Sequence, residues 1–339
     1  MFGLTEEQLA LREMAASLAR ERYRPRVAEW DEHFTFFPKE EKLYLASLGL
    51  MGICLPEEYG GGGAGLIDAL IVIEELAKEC QLAAFYVFEA NTGPARVVEL
   101  FGTPEQKAKF LPPIIRGEKV MAVAISEPDA GSAATDMTTR ARVDGDSLVL
   151  SGMKRWCSGG GAAEQYLVYC RLNDEPGARA IGAVVVEADT PGVSFGKQER
   201  FMGFHGIPSA DIFFDEARVP VENLIVGAGG FGRLFSAFSI ERLGNATMSL
   251  AIGQACLDRT ARYVPGAQAV REGDRRVPGG TAGAGGHDPP GGGRPAAHLP
   301  GGMAGGKGCA GRLGSLYRQV LRQRDGEKGF GSRYSAAWR

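Results

Sequence analysis

The chain has 339 residues, of which 44% are hydrophobic and 23% are charged, and its net charge is −3. This length is sufficient for a substantial buried core, and the near-neutral balance argues against a polyanion-binding role for the whole chain. The six cysteines include no Cys-x-x-Cys pair and have no histidine at metal-ligand spacing, so no metal site is expected. No apolar run approaches the roughly 18 residues that span a bilayer, and the amphipathic start is unlike a signal peptide. We therefore expect a cytoplasmic, reduced protein.

Residues 1–119 are predicted to form an N-terminal helical domain. Thr5 and Gln8 are spaced as a capping box at the start of the first helix. Thr103 begins a later helix in the same way, with a proline at the first helical position. Apolar residues at helical spacing predict the helices between them, which run from Pro38 to Gly49, over 66–77 and over 85–100.

From residue 120 the periodicity changes to that of short strands. Segments rich in β-branched and aromatic residues are separated by Gly, Asp, Asn or Pro. They predict a compact, β-barrel-like middle domain over 120–226. Helical signal returns at Phe231 and continues to Tyr263, so that 227–264 is predicted to begin a C-terminal helical domain. Helices, then strands, then helices indicate an α+β fold. The predicted strands are 120–125, 147–151, 166–171, 180–187, 193–195 and 212–214.

The tail at 265–339 has a different composition from the rest of the chain. It holds 20 Gly in 75 positions, and its 12 Lys/Arg against 5 Asp/Glu give a local charge of +7. Apolar periodicity is nearly absent, so this segment is predicted to bury too little apolar area to offset its backbone entropy. We expect an irregular, Gly-rich tail after a truncated C-terminal helical domain.

Two segments carry groups suited to a planar polar ligand. Residues 121–132 (MAVAISEPDAGS) are a strand that ends in a turn with exposed hydroxyl and N–H groups. Residues 151–160 (SGMKRWCSGG) are a strand that delivers an indole at Trp156 and a hydroxyl at Ser158. An indole provides a flat face for a planar ring, and a neighbouring hydroxyl can bond the polar edge of that ring.

In combination, SEPDAGS at 126–132 and GMKRWCS at 152–158 resemble the paired flavin-contacting signature of acyl-CoA dehydrogenases. Three outer groups of segments agree with this resemblance in order and spacing. They are GLMGICLPEEYGG at 49–61, FGTPEQK at 101–107 with RGE at 116–118, and FDEARVP at 214–220 with Met202, Gly203, Ser209 and Asn223 nearby. The resemblance covers residues 1–264.

The resemblance implies N-terminal helices, a middle β domain and a C-terminal four-helix bundle, with FAD held against the β domain. It places Ser126 near the reactive flavin nitrogen, Trp156 against the isoalloxazine ring and Ser158 beside that ring. It also implies that Ser132 faces the flavin or the acyl-CoA, and that Arg242 helps to hold the CoA moiety. The full set of cofactor-binding residues carried over by the resemblance is Ile125, Ser126, Gly131, Ser132, Trp156 and Ser158.

The implied reaction removes the α-proton of an acyl-CoA thioester with a carboxylate base, while the β-hydrogen leaves as hydride to the flavin. The product is the 2-enoyl-CoA, and the implied role in the cell is fatty acid and lipid metabolism. In part of the family the base is a Glu at the position of Glu241, whereas in most members it lies in a later segment. Glu241 is therefore a candidate base, the alternative being a carboxylate on the helix surface or in the CoA channel. The implied partners are an electron-transfer flavoprotein or similar acceptor and the other subunits of a homotetramer.

The resemblance stops after Val264. A family member should continue with an x-x-Arg-x-x-Phe-Gly motif and, later, with the usual catalytic Glu, and neither follows in this chain. One extra base in the gene accounts for this. With suitable synonymous codons, deletion of that base lets 264–275 read VQERKQFGKAI and 316–327 read SIAKCFANEMA, the first of which contains the missing motif. We therefore expect the tail to be frameshifted and flavin binding and turnover to be impaired.

Three alternatives stay open. A flavin-dependent enoyl-CoA reductase or an acyl-CoA oxidase has the same fold, and the electron acceptor would separate these from a dehydrogenase. An inactive frameshifted product would lack the flavin absorbance bands after purification. The +7 tail suggests a nucleic-acid-binding segment, but it lacks interleaved aromatics and a recognisable module, so no nucleic-acid partner is expected.

Overall fold

The computed structural model describes residues 3–263 and two short strands of the tail, β9 (Gln268–Ala269) and β10 (Glu272–Gly273), which pair antiparallel. Apart from those two strands, the tail predictions for 265–339 and the shifted readings after Val264 lie outside the described residues. The chain divides into two compact units, Met1–Met248 and Ser249–Arg339. Within the described part of the chain, no helix combines the length and the apolarity needed to cross a membrane.

The first part of the chain is helical, as predicted. Both capping boxes are confirmed, because the hydroxyls of Thr5 and Thr103 accept hydrogen bonds from the backbone N–H groups three residues later. The bounds predicted for the helix at 66–77 are confirmed, and its apolar face is buried. The helices are α1 (Glu6–Leu18), α2 (Val27–Glu32), α3 (Lys39–Ser47), α4 (Leu66–Ala77), α5 (Gln81–Asn91), α6 (Pro94–Phe101) and α7 (Pro104–Ile115).

The prediction of one continuous helix over 85–100 is wrong. The structure has two helices there, α5 and α6, which are separated at Gly93. Pro94 occupies the first position of α6. Because a proline disfavours the helical conformation of the residue before it, the chain leaves the helix at Gly93 and starts a new one.

The middle part forms one eight-stranded sheet. Its order is β6-β7-β3-β2-β4-β5-β8, and β1 pairs parallel with β4 outside this path. The predicted segments at 147–151 and 212–214 belong to longer strands, β3 and β7, and the mostly exposed strand β2 was not predicted. The strands are β1 (Met121–Ala124), β2 (Arg140–Asp144), β3 (Ser147–Ser158), β4 (Gln165–Arg171), β5 (Ile181–Glu187), β6 (Val193–Phe195), β7 (Ser209–Pro220) and β8 (Leu224–Val226).

The α+β fold is confirmed, but the expectation of a barrel-like sheet is wrong. Within the described residues, β6 and β8 are the two ends of the sheet order and do not pair with each other. Each of these strands has only three residues, so that neither offers the length of backbone that closure of a sheet would need. The centre of the sheet is covered on both faces, because six consecutive residues of β4 and of β5 are buried.

Helix α8 (Phe231–Tyr263) has the bounds that the sequence predicts. In the first compact unit it approaches α5 very closely at Gly244. A Cβ atom added there would lie 2.4 Å from Cδ2 of Phe88 and 2.5 Å from Oγ1 of Thr92. The absence of a side chain at Gly244 therefore allows the backbone of α8 to rest directly on α5.

We expect Gly244→Ala to destabilise the protein by about 1–3 kcal/mol, because overpacking at this contact outweighs the better helix propensity of alanine. Urea denaturation of both proteins measures the difference. Gly232→Ala in the same helix is the matched control, since its added Cβ meets no described atom within 4 Å, and it should be neutral or slightly stabilising. Equal stability of Gly244→Ala and Gly232→Ala would contradict this packing.

Candidate functional site

The first predicted segment is a turn that follows β1. Two backbone hydrogen bonds between Glu127 and Ala130, of 3.0 and 3.2 Å, close its tight part. Ser126 is half-buried at the start of the turn, and Gly131 and Ser132 are exposed farther along. We call residues 125–132 the Ser126 turn.

The second segment contains a β-bulge. The register of β3 against β7 shifts between Lys154 and Cys157, where Arg155 and Trp156 together face Asp211. Trp156 has a φ of 54°, which is rare for a bulky residue, and its N–H donates a 3.2 Å hydrogen bond to Oδ1 of Asp211. A bulge re-aims the side chains of its strand, and the indole of Trp156 is 59% exposed. We call Arg155 and Trp156 the Trp156 bulge.

The structure brings these two segments together. The backbone N–H of Arg155 donates a 2.8 Å hydrogen bond to the carbonyl oxygen of Ser126. Within residues 3–263, the hydroxyls of Ser126, Ser132 and Ser158 form no hydrogen bond with the protein. The guanidinium of Arg155 lies 5.1 Å from the centroid of the Trp156 ring. An exposed indole and uncommitted hydroxyls on two joined segments fit a ligand with a flat ring and a polar edge.

A buried ion pair lies under this junction. The ammonium of Lys154 is 2.8 Å from Oε1 of Glu127, and the two side chains are 0% and 3% exposed. The same ammonium donates a 2.9 Å hydrogen bond to the carbonyl oxygen of Ile125. Three consecutive residues of the Ser126 turn are thus bonded to two consecutive residues of β3.

Glu127 also holds the far end of the loop that follows the Ser126 turn. Its Oε2 accepts hydrogen bonds from the N–H and the hydroxyl of Thr138, and its Oε1 accepts one from the N–H of Thr139. Burial by itself raises the pKa of Glu127, but the charge of Lys154 and these donors lower that pKa to about 2. The carboxylate is therefore ionised at neutral pH.

Two further carboxyl groups lie within one helical turn of the contact between α5 and α8. Glu89 of α5 is 7% exposed, and its Oε2 has no hydrogen-bond partner. Burial, together with the charge of Glu241, raises the pKa of Glu89 well above its usual value. Burial raises the pKa of Glu241 to about 7, although Arg242 lowers it. Glu241 thus has the acidity of a group that can accept a proton near neutral pH.

A small cavity connects Glu89 with the second segment. Its volume is about 10 Å³, and Glu89 and Ser158 both line it, with Phe85, Tyr86 and Val120 among its apolar walls. This is about the space of one water molecule. A buried residue with a carboxyl group, Glu89, and an exposed residue of β3, Ser158, therefore border the same small space.

The contacts of Arg242 are with residues of its own helix, α8, and not with the two predicted segments. Its side chain is exposed, and its guanidinium lies over the rings of Phe235 and Phe238, at 4.9 and 4.6 Å from their centroids. Stacking on aromatic rings leaves the N–H groups of a guanidinium at its edge free to bind an anion.

Sequence reasoning did not single out Glu127, Lys154 or Glu89. Glu127 and Lys154 both lie inside the quoted motifs. The signal that could have found the pair is Lys154, since a lysine at an inward-facing position of a strand needs a buried partner. Glu89 is flanked by apolar residues throughout α5, which was the corresponding signal there.

Models of two protein domains match this chain. The description "Acyl-CoA dehydrogenase, N-terminal domain" applies to residues 5–118, and "Acyl-CoA dehydrogenase, middle domain" applies to residues 122–217. The first range contains α1 to α7 and the second contains β1 to β6 and most of β7. These bounds agree with the division into helices and sheet.

Individual proteins are also similar to the chain. Isobutyryl-CoA dehydrogenase from Dictyostelium discoideum is 38% identical over 256 residues, which are 75% of this chain and 61% of that protein. Acryloyl-CoA reductase (NADH) from Anaerotignum propionicum is 34% identical, with 78% of this chain and 67% of that protein covered. The structure of butyryl-CoA dehydrogenase from Megasphaera elsdenii is 26% identical, with a TM-score of 0.82, 98% of this chain and 82% of that chain covered. The chain thus spans about 61% of the length of the first of these relatives.

The raised pKa of Glu241 predicts a pH-dependent effect of Glu241→Gln. Because the folded-state pKa is about 7 against an ordinary value of 4.5, the protonated carboxyl is favoured in the fold, and this contribution is lost as the pH rises through about 7. We expect the stability of the variant relative to the parent to rise by up to about 3 kcal/mol between about pH 5 and pH 9.

Urea denaturation across this pH range measures the effect. Glu6→Gln, at an exposed position of α1, is the control for the change in net charge and should give a nearly constant difference. A pH-independent difference for Glu241→Gln would contradict the burial of this carboxyl group.

Proposed function

The chain belongs to the acyl-CoA dehydrogenase family, and on that premise we propose that it binds FAD between the Ser126 turn and the Trp156 bulge. We further propose that it oxidises an acyl-CoA thioester to the 2-enoyl-CoA. The observation that supports this most directly is the hydrogen bond between Arg155 and Ser126, which joins the backbone of the segment that carries the exposed Trp156 to the backbone of the segment that carries the Ser126 hydroxyl. Relatives named as acyl-CoA dehydrogenases support the reaction class.

In this proposal the residues of the two segments bind and orient the cofactor. Trp156 covers one face of the ring, the hydroxyls of Ser126 and Ser158 bond its polar edge, and Ile125 and Gly131 contact it through their backbone. When bound, the flavin supplies the capacity to accept a hydride, and the protein supplies position and polarity. The fixed backbone of the Ser126 turn keeps these groups in place before the ligand arrives.

Glu241 is the proposed base for the α-proton. Its pKa of about 7 lets it be ionised in a substantial fraction of molecules at neutral pH and still bind a proton effectively. Ser132, which is exposed, is proposed to contact the acyl-CoA or the flavin, and Arg242 is proposed to hold a phosphate of CoA with its exposed guanidinium. An electron-transfer flavoprotein is the proposed acceptor, and a homotetramer is the proposed assembly.

We also propose that the tail after Val264 is read in a shifted frame. The sequence matches to relatives cover 75–78% of the chain, and two separate segments, 264–275 and 316–327, read as family-like sequence in the same shifted frame. In the parent frame the C-terminal helices would supply one wall of the cleft. In the chain as given, that wall is replaced by Gly-rich sequence, so that weak flavin binding and little turnover are proposed for it.

The second candidate function is reduction of a 2-enoyl-CoA. One relative at 34% identity is named an acryloyl-CoA reductase (NADH), so the family contains the reverse direction within the same range of similarity. An acyl-CoA oxidase of the same fold and an inactive frameshifted product are the remaining alternatives. Oxygen consumption, reduction of an electron-transfer flavoprotein and oxidation of NADH distinguish the three active forms.

Removal of the indole tests the cofactor site. We expect Trp156→Ala to weaken FAD binding by about five- to tenfold, since loss of one aromatic contact surface costs about 1 kcal/mol. Titration of the apoprotein, followed by the fluorescence of FAD, measures the affinity. Trp30→Phe, at a buried position of α2, is the control and should leave the affinity unchanged. Equal FAD affinities for Trp156→Ala and the parent would show that the indole does not contact the cofactor.

Repair of the frame tests the proposed impairment. The gene with one base deleted at codon 265 should yield a protein that purifies with flavin and reduces a dye with acyl-CoA, whereas the chain as given should show at least about tenfold less of both. Absorbance of the purified proteins and a dye-coupled assay measure the two quantities. The frameshift would be contradicted if resequencing of the gene found no extra base at this codon and the chain as given had ordinary activity.

A further inference from the structure

The Glu127–Lys154 pair is unusual because its ammonium is completely buried. Lys154 has 0% exposed side-chain area, and burial of an ion pair costs several kcal/mol for each ion before their attraction is counted. A buried pair of this kind is often no more stable than apolar side chains of the same volume. Stability alone therefore does not account for a lysine at this position of β3.

Lys154 contacts the two residues on either side of Ser126 in the chain. Its ammonium bonds the carbonyl oxygen of the preceding residue, Ile125, at 2.9 Å and the carboxylate of the following residue, Glu127, at 2.8 Å. The carbonyl oxygen of Ser126 itself accepts from Arg155, the next residue of β3. A displacement of the Ser126 turn relative to the Trp156 bulge would break all three bonds together.

The same pair determines the closure of the loop that carries Gly131 and Ser132. The chain leaves the sheet after Ala124 and re-enters it at Arg140. Thr138 and Thr139, just before this return, both donate to the carboxylate of Glu127. The hydroxyl of Thr139 donates in turn to the carbonyl oxygen of Met153, at 3.0 Å. Both ends of the loop are thus attached to the carboxylate that Lys154 holds.

We propose that Glu127 and Lys154 are positioning residues that set the distance between the Ser126 turn and the Trp156 bulge, and with it the width of the ligand site. The proposal rests on the proposed function only for the identity of the ligand as a flavin. Neither side chain contacts the ligand, since both are buried under the site. Their effect on a bound ring is transmitted through the backbone of residues 125–127 and 154–156.

Lys154→Met tests the proposal, because methionine keeps the volume of the side chain and removes its charge. Hydrogen exchange, followed by mass spectrometry well below the unfolding temperature, should become faster in the peptides that contain Thr138, Thr139 and Arg155, and only there. Titration with FAD should show at least about tenfold weaker binding, and the visible spectrum of the flavin at saturation should shift relative to the parent.

Glu41→Gln is the matched control. Glu41 is a buried carboxylate of α3 that pairs with Arg22 at 2.7 Å and with Arg26, among helices remote in sequence from the site. This variant should lose stability without a change in exchange at residues 126–156, in FAD affinity or in the flavin spectrum.

Unchanged exchange in Lys154→Met, or faster exchange spread evenly over the chain, would overturn the proposal. So would parental FAD affinity with a parental spectrum. If the parent protein itself bound no FAD, the proposed function would fail for this chain, while the exchange comparison would still decide whether the pair positions the two segments.

Discussion

A buried ammonium group must be surrounded by acceptors, and at Lys154 those acceptors belong to a different segment of the chain. This requirement couples the end of β1 to the middle of β3, two elements about thirty residues apart. The Ser126 turn and the Trp156 bulge are consequently parts of one hydrogen-bonded junction rather than two independent loops. The exposed indole and the uncommitted hydroxyls are all attached to this junction, so that the candidate site depends on it.

The local elements were largely predictable from sequence, and their interruptions were not. Thr103 and Gln106 specify a helix start within four residues, and the structure has that start. Gly93 and Pro94 interrupt an apolar stretch for which the periodicity predicts one continuous helix. The spacing of apolar residues carries no information on where the backbone leaves the helical conformation. The bulge at Trp156 depends on register against β7, a nonlocal property that no pattern within β3 reveals.

The acidic groups illustrate the same limit. A glutamate at position 241 was visible in the sequence, but the desolvation that raises its pKa is a property of the folded structure, in which Glu241 is half-buried. Gly244 allows the close packing of α8 on α5, and its role is invisible without the position of Phe88. Glu89 was not singled out because the rest of α5 is almost entirely apolar, and one carboxyl group did not change the prediction of an apolar helix. Because the chain belongs to the acyl-CoA dehydrogenase family, the reaction proposed for it needs a carboxylate base, and Glu241 is the proposed one.

Because hydrogen bonds join the two segments, a flat ligand held by both must touch residues that are about thirty positions apart in sequence. The most direct measurement is a crystal structure of the protein soaked with FAD. We predict electron density for the ring in contact with both the hydroxyl of Ser126 and the indole of Trp156. Density for the ring elsewhere on the molecule, or packed side chains in the space between Ser126 and Trp156, would contradict the central claim.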